Sequence, residues 1–493
     1  MKFITQVINA SSYESNLITD GQLSCSYQEI IQIFVNIDKL FDKWGIGKED
    51  CFALACDNSI PSALVLLYLL EKDYSILLLP KAVKSSGSPP QDLPQFCRYS
   101  LATETHTQDG NLVNLREPLQ FIQLAENEKC LKVIQKTTQK LYLKTSGSTG
   151  TPKMVMHSHS QLRGNVLNCV QRLNLQSSDR VAIPVPLYHM YGLGAAFLPS
   201  VAVGASIDLQ KGANLLRYLQ REQQFQPNVA FMTPIFSETL LKGRRSNREY
   251  KLTVAAGDTI TSDTLTNYET RMGCLVKLYG STEMGAIAAA SPDDPQAIRA
   301  QAVGKPMSGV QLRLVKSSVE SSQEQQGVGE LWCHHNYGFD GYVDNKGEAI
   351  NATQDHQDGW FRTKDLAKIS TDGYLDVLGR CDHSVNRDGL LVFFADVEKA
   401  IRKIAGIDTV VVVSQGKSQR GKGMVAYCVL AKGIDDLTEA TIRSACFSTL
   451  PKRAIPDNIF LVDALPLLPN GKIDRQKLVA MSNEKVSTSN LVR

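Results

Sequence analysis

"YLKTSGSTGTPKMVMH", residues 142–157, sets Thr145, Ser146, Gly147, Ser148, Thr149, Gly150 and Thr151 in an unbroken row and places Lys153 directly behind Pro152. The preceding "KLYLK" reads as a strand, and the residues after the row read as a second strand followed by a helix. Glycines free the backbone of such a loop while hydroxyl and N–H groups converge, which suits phosphate oxygens. A nucleotide polyphosphate is the expected ligand. A plain Gly/Ser turn would share the composition. A P-loop would not share the spacing: Gly147 and Gly150 are too close, Pro152 intervenes, and Met154 stands where a hydroxyl should meet magnesium.

Outward from that loop, the chain has 493 residues, 43% hydrophobic and 21% charged, which predicts more than one domain. The net charge of +3 is spread along the chain and leaves no basic block for nucleic acid. Small-molecule chemistry is expected. Eleven cysteines stand singly with no C-x-x-C pair, so free thiols in a reducing, cytoplasmic setting are expected. The N-terminus lacks the apolar core of a secretory signal. "IPSALVLLYLL", residues 60–70, is too short to cross a bilayer and predicts a buried helix, so no membrane association is expected.

Short apolar runs alternate with helical periodicity: "RVAIPVPL" (180–187), "GASIDL" (204–209), "NVAFMTP" (228–234) and "LTVAAGD" (252–258). Continuous apolar strands separated by helices predict sheets covered on both faces, the α/β class. Residues 84–94 and 317–330 read as loops, and the polar tail from Ser482 as disordered.

The loop does not stand alone. "KTSGSTGTPK" resembles the phosphate-loop signature of the adenylate-forming superfamily, which comprises acyl-CoA synthetases, carrier-loading adenylation domains and firefly luciferase. Six further segments are similar to that superfamily's motifs, in its order: "PLYHMYGLG" (186–194), "AAGD" (255–258), "LYGSTEMG" (278–285), "VGKPMSGV" (303–310), "GWFRTKDLAKISTDGYLDVLGR" (359–380) and "LPNGKIDR" (468–475). The resemblance covers most of the chain. It implies a multi-domain α+β architecture: a large N-terminal domain, residues 1–380, of two α/β subdomains and a small β-barrel, then a small mobile C-terminal α/β domain, residues 381–483, with 484–493 as a disordered tail. Asp382 would be the hinge.

The same resemblance implies ATP and Mg2+. Thr145 to Gly150 and Lys153 would hold the phosphates, Ala256, Gly257, Asp258, Tyr279, Gly280 and Ser281 the adenine, and Asp365 and Arg380 the ribose. Glu283 would meet magnesium, a hard cation that takes carboxylate oxygen. Lys472, with Thr282 and His189, would be catalytic. Lys472 would bridge the substrate carboxylate and the α-phosphate, and no general base is needed because the acid is already ionised at neutral pH. Met190, Leu193, Thr233 and Ala286 would line the acid's pocket.

Two departures stand out. Asn386 occupies the place of a customary lysine, with Arg387 next to it as a partial substitute, and "RTKD" replaces the more frequent T-G-D before Asp365. Amino-acid-activating relatives pair the substrate ammonium with an aspartate where Met190 stands, unless Asp258 turns inward here. On residues alone the site therefore suits an acid without an α-ammonium, such as an aryl or short acyl acid. The chain also resembles stand-alone carrier-loading enzymes of cyanobacterial toxin pathways, including proline-activating ones of the anatoxin type. Proline is the expected acid and a phosphopantetheine-bearing carrier protein the expected acceptor, with free CoA as the alternative.

Overall fold

The computed structural model describes residues 4, 15–81, 93–130, 139–144, 153–212, 214–315, 327–351, 356–387, 390–418, 421–431, 433–434, 436–467 and 473–489. The fold is mixed α/β, with a large N-terminal and a smaller C-terminal part. The chain divides into two compact units: Met1–Gln311 with Cys333–Trp360 and Thr371–Leu375, and Leu312–Trp332 with Phe361–Ser370 and Asp376–Arg493.

The first unit holds a nine-stranded and an eight-stranded sheet. The four apolar runs supply four neighbouring strands of the larger sheet, Tyr250–Ala256, Val229–Met232, Arg180–Ile183 and Ser206–Leu209, all parallel. The helices Leu215–Phe225, Pro234–Gly243 and Ser262–Met272 run between and beyond them, and Tyr218, Leu240, Leu265 and Tyr268 bury their apolar faces in one cluster with Ala230 and Met232. Gly273–Ser281 extends this sheet in parallel beside Tyr250–Ala256. Two of the sequence motifs therefore sit at carboxyl ends of adjacent parallel strands, where open α/β sheets hold their ligands.

In the eight-stranded sheet Cys51–Cys56, Ser75–Pro80 and Lys140–Lys144 are parallel neighbours. The helix Ile60–Glu71 follows the first of them, capped by Ser59 with Pro61 in its first turn, and is buried from Ile60 to Leu70 as its uniformly apolar sequence predicts. Among the described residues no helix is long and apolar enough to cross a membrane, and the eleven cysteines form no disulfide.

The second unit contains most of a five-stranded sheet that includes Val310–Val315, Val328–His335, Trp360–Ile369 and Leu375–Arg380. Beyond it, Ile407–Ser418 and Gly421–Leu430 form the long antiparallel pair of another five-stranded sheet. Alternation with period two divides that pair. Val410, Val412, Met424 and Ala426 pack with Val397, Ile401 and Ile442 of two helices, while Val411, Val413, Val425 and Tyr427 pack with Leu478 of a third.

Two expectations change. The strand Val328–His335 begins inside the stretch read as a loop, because its buried positions pair it into the sheet despite its glycines. The polar tail is helical as far as Ser489, in the helix Arg475–Ser489. Leu478 and Ser482 are buried, and the Tyr427 hydroxyl and Gln415 amide donate to their carbonyls, so tertiary contacts decide what composition alone could not.

Candidate active site

The strands Lys140–Lys144 and Met154–Ser158 pair antiparallel, with Lys144 opposite Met154. Residues 145–152, and with them the phosphate-loop positions Thr145 to Gly150, lie outside the described residues. Ser158 then caps the helix His159–Arg172 through a reciprocal pair of hydrogen bonds with Gln161. Lys153, half-buried, emerges from the loop with its Nζ 5.3 Å above the ring centroid of Tyr342. Tyr342 lies in the strand Gly341–Val343, which pairs with Met154–Ser158, and its hydroxyl donates to Glu283 Oε1 at 2.9 Å. A lysine, a phenol and a carboxylate are thus lined up from the start of the strand that begins at Met154.

Glu283 sits in a tight turn between Gly273–Ser281 and Gly285–Ala289, which pair antiparallel with a register shift after Tyr279. Only glycine fits two of these positions. A side-chain carbon at Gly280 would lie 2.2 Å from the Gly285 carbonyl oxygen, and one at Gly285, at φ +64°, would lie 1.7 Å from the Asn165 amide. The Met284 N–H donates to Ser281 Oγ at 3.0 Å. Outside the turn, His157 Nε2 donates to the Thr282 carbonyl and His335 Nδ1 to the Met284 carbonyl, each at 2.8 Å, and the Phe339 N–H donates to the Glu283 carbonyl at 2.8 Å. Burial pushes the His157 imidazole down to about 4 and lowers that of His335, so both rings are neutral. His157, His335, Phe339 and Tyr342 were not picked out by sequence reasoning. A histidine inside the apolar strand "MVMHS" was the available signal.

Tyr279 is half-buried, while Gly257 and Asp258 are exposed in the turn after Tyr250–Ala256. Asp258 accepts from the Thr259 N–H at 2.7 Å and faces solvent, so it does not turn inward to pair a substrate cation. Tyr191–Phe197 forms a π-helical turn, a local irregularity common at functional sites. The Tyr191 hydroxyl ties it to the ends of two central strands, 3.0 Å from the Met232 carbonyl and 2.8 Å from that of Val254. This turn packs against Gly285–Ala289, which brings the buried Leu193 into the same region as the buried Ala286. Met190 is buried, and Gly194 leaves the room in which its sulfur lies. His189 is exposed beside the Tyr188 ring, 4.5 Å between centroids. Thr233, also exposed, caps the helix Pro234–Gly243 through the Phe236 N–H.

In the second unit Asp365 is buried, and Arg380 Nη1 lies 3.5 Å from its Oδ1 while donating to the Thr363 carbonyl at 2.9 Å. The structure brings together the pair expected at the ribose. Lys364, immediately before Asp365, adopts φ +62° within a strand. That left-handed conformation costs a non-glycine residue roughly 1 kcal/mol, a cost that a glycine there, as in T-G-D, would not bear. Lys364→Gly is expected to hold or raise the melting temperature by roughly 1–2 °C, since relief of strain exceeds glycine's entropy cost only slightly. Lys364→Val is expected to lower it by several degrees; a valine variant as stable as the parent would show that the kink is not imposed by its surroundings.

Arg387 does not stand in for the missing lysine. It is fully buried, donates to Asp457 at 2.6 Å and to the Ile455 carbonyl at 2.9 Å, and is held in the small domain's core. Cys381–His383 forms a 3-10 turn that contains the expected hinge Asp382. Lys472 lies outside the described residues; the chain leaves at Leu467 and returns at Ile473, which pair antiparallel.

Among the described residues no group of three or more histidine, cysteine, aspartate or glutamate side chains could hold a metal. One carboxylate, Glu283, suits a magnesium ion that arrives with a nucleotide and keeps phosphate and water as its other ligands.

Residues 103–343 match the AMP-binding enzyme family and residues 396–472 its C-terminal domain. Sulfoacetate–CoA ligase of Cupriavidus necator is 27% identical over 344 residues, 69% of this chain and 66% of that protein. Tyrocidine synthase 3 of Brevibacillus parabrevis is 24% identical over 486 residues, 93% of this chain and 7% of that protein. The chain spans less than two thirds of the length of the ligase and of a further relative, YngI of Bacillus subtilis, where the share is 62%. In fold it is similar to the crystal structure of ATP-bound MatB from Rhodopseudomonas palustris, with a TM-score of 0.77, 20% identity, and coverage of 97% of this chain and 98% of that one. With its motifs in order and both domains matched, this chain belongs to the adenylate-forming superfamily of AMP-binding enzymes.

Proposed function

We propose that the protein activates a small carboxylic acid with ATP, releasing pyrophosphate, and passes the acyl group from the adenylate to a thiol. The observation that carries this reading is the line from Lys153 across Tyr342 to Glu283, which joins a cation and an anion-bearing turn where the chain resumes after "TSGSTGTP". In the first step a carboxylate oxygen bonds to the α-phosphorus as the α–β anhydride bond breaks and pyrophosphate leaves with the electron pair. Thr145 to Gly150 and Lys153 bind the phosphates. Tyr279 packs on the adenine between the 256–258 and 280–281 turns, and Asp365 and Arg380 orient the ribose. Glu283 would hold Mg2+, which would supply charge neutralisation on the phosphates. Lys472, with Thr282 and His189 nearby in role, offsets the repulsion between carboxylate and α-phosphate.

In the second step a thiol sulfur bonds to the acyl carbon and AMP leaves. The acid we favour is L-proline and the acceptor a carrier protein's phosphopantetheine, with residues 381–483 as the mobile domain pivoting at Asp382. The apolar Met190, Leu193 and Ala286 support an acid without a primary ammonium, and proline's secondary ammonium has one fewer donor to leave unpaired. A second reading, an aryl or short acyl acid joined to free CoA, fits the same apolar residues and the activity named for the sulfoacetate relative.

ATP–pyrophosphate exchange with a panel of acids separates these readings, followed by thiol transfer to free CoA or to a pantetheinylated carrier. Proline is expected to give exchange at least about tenfold above amino acids with a primary ammonium, which would leave one further donor unpaired. Exchange with benzoate and transfer to CoA would select the second reading. No acid-dependent exchange at all would sink both.

A further inference from the structure

We propose that His157 and His335 are positioning residues which, with the Phe339 amide, fix the backbone from which Glu283 reaches the cation that accompanies the nucleotide. This rests on the reading of Glu283 given above. Three consecutive carbonyls, those of Thr282, Glu283 and Met284, each accept a hydrogen bond at 2.8 Å, from His157 Nε2, the Phe339 N–H and His335 Nδ1 in turn. The donors come from two places far apart in the chain: His157 from the strand Met154–Ser158, and His335 and Phe339 from the end of the strand Val328–His335 and the turn just after it. No peptide plane of the turn can rotate without breaking one of these bonds, and a buried carbonyl left without its donor costs about 1–3 kcal/mol. Gly285 closes the turn from the far side, where its φ of +64° and the Asn165 amide leave no slack. Tyr342 then sets the carboxylate itself through Oε1.

Packing alone does not account for the two imidazoles. Both are buried, and the Nε2 of His335 has no hydrogen-bond partner among the described residues. An apolar side chain would fill the same space without that penalty. What a histidine adds at each place is a donor on a short, two-torsion arm, aimed at a carbonyl next to Glu283. Groups one step removed from a metal ligand govern its orientation and hence the site's affinity.

The test uses matched pairs of similar size: His157→Gln against His157→Met, and His335→Asn against His335→Leu. The first of each pair keeps a donor and the second does not. The probe is Mn2+ with ATP, titrated into the full-length protein without acid substrate and read by the electron paramagnetic resonance of the ion. His157→Met and His335→Leu are expected to weaken Mn2+–ATP binding about fivefold each, and the amide variants to stay within about twofold of the parent. Equal affinity within each pair, whether parent-like or weakened, would overturn the proposal, because packing would then be the whole role. If one apolar variant does not fold, the other pair decides on the same criterion. A parent protein that binds no Mn2+–ATP would instead defeat the reading of Glu283, and the positioning role with it.

Discussion

Lys472→Ala is expected to lower acid-dependent pyrophosphate exchange by about a thousandfold while ATP binding stays within a few-fold of the parent. The two reactants are both anions. At an effective dielectric of about 20, two unit charges about 4 Å apart interact by roughly 4 kcal/mol, and a factor of ten in rate corresponds to about 1.4 kcal/mol. A cation placed between carboxylate and α-phosphate therefore acts on a term worth about three orders of magnitude. On the proposed reading the nucleotide would be held by other groups: residues 145–150, Tyr279, and the Asp365–Arg380 pair, whose own atoms approach to 3.5 Å. Losing Lys472 should leave those contacts in place. Exchange within tenfold of the parent, or loss of ATP binding in step with exchange, would remove Lys472 from the role assigned to it.

How far the sequence could be read follows from what each feature depends on. The turns at 255–258 and 278–285 and the buried helix 60–70 were legible because glycine placement and apolar runs act locally, and they lie where expected on parallel strands. The Asp365–Arg380 pair was legible through motif spacing. The donors to the 282–284 carbonyls were not, because His157 is 125 residues from Thr282 and His335 is 51 from Met284, and no local pattern links them. Arg387 misled for a related reason. A basic residue beside a vacant lysine position suggests a catalytic role, but its burial against Asp457 arises from sheet pairing that the sequence does not display. The left-handed backbone at Lys364 was half-visible, as an absent glycine whose conformation the chain adopts regardless.

The second large effect is loss of stability in mild acid. His157 and His159 are both buried, and burial pushes each imidazole from the ordinary 6.5 down to about 4. His159 Nδ1 lies 3.6 Å from Asp73 Oδ1, which favours the charged ring, but desolvation is the larger influence and the ring stays neutral. Because the folded pKa is depressed, the unfolded chain binds protons that the folded one refuses. The contribution is complete above about pH 6.5, shrinks as pH falls, and is gone near pH 4. At about 1.4 kcal/mol per unit each ring accounts for roughly 3 kcal/mol across that window, so the two together rival the whole stability of an ordinary domain, about 5–15 kcal/mol. Melting temperatures measured at pH 7.5, 6.0 and 5.0 should fall steeply, with most of the loss below pH 6. His157→Gln keeps a donor to the Thr282 carbonyl but removes one titrating ring, so its melting curve should be clearly less sensitive to acid than the parent's. A parent whose melting temperature is flat from pH 7.5 to 5.0, or a glutamine variant with undiminished sensitivity, would mean that these imidazoles reach solvent and protonate in the folded state.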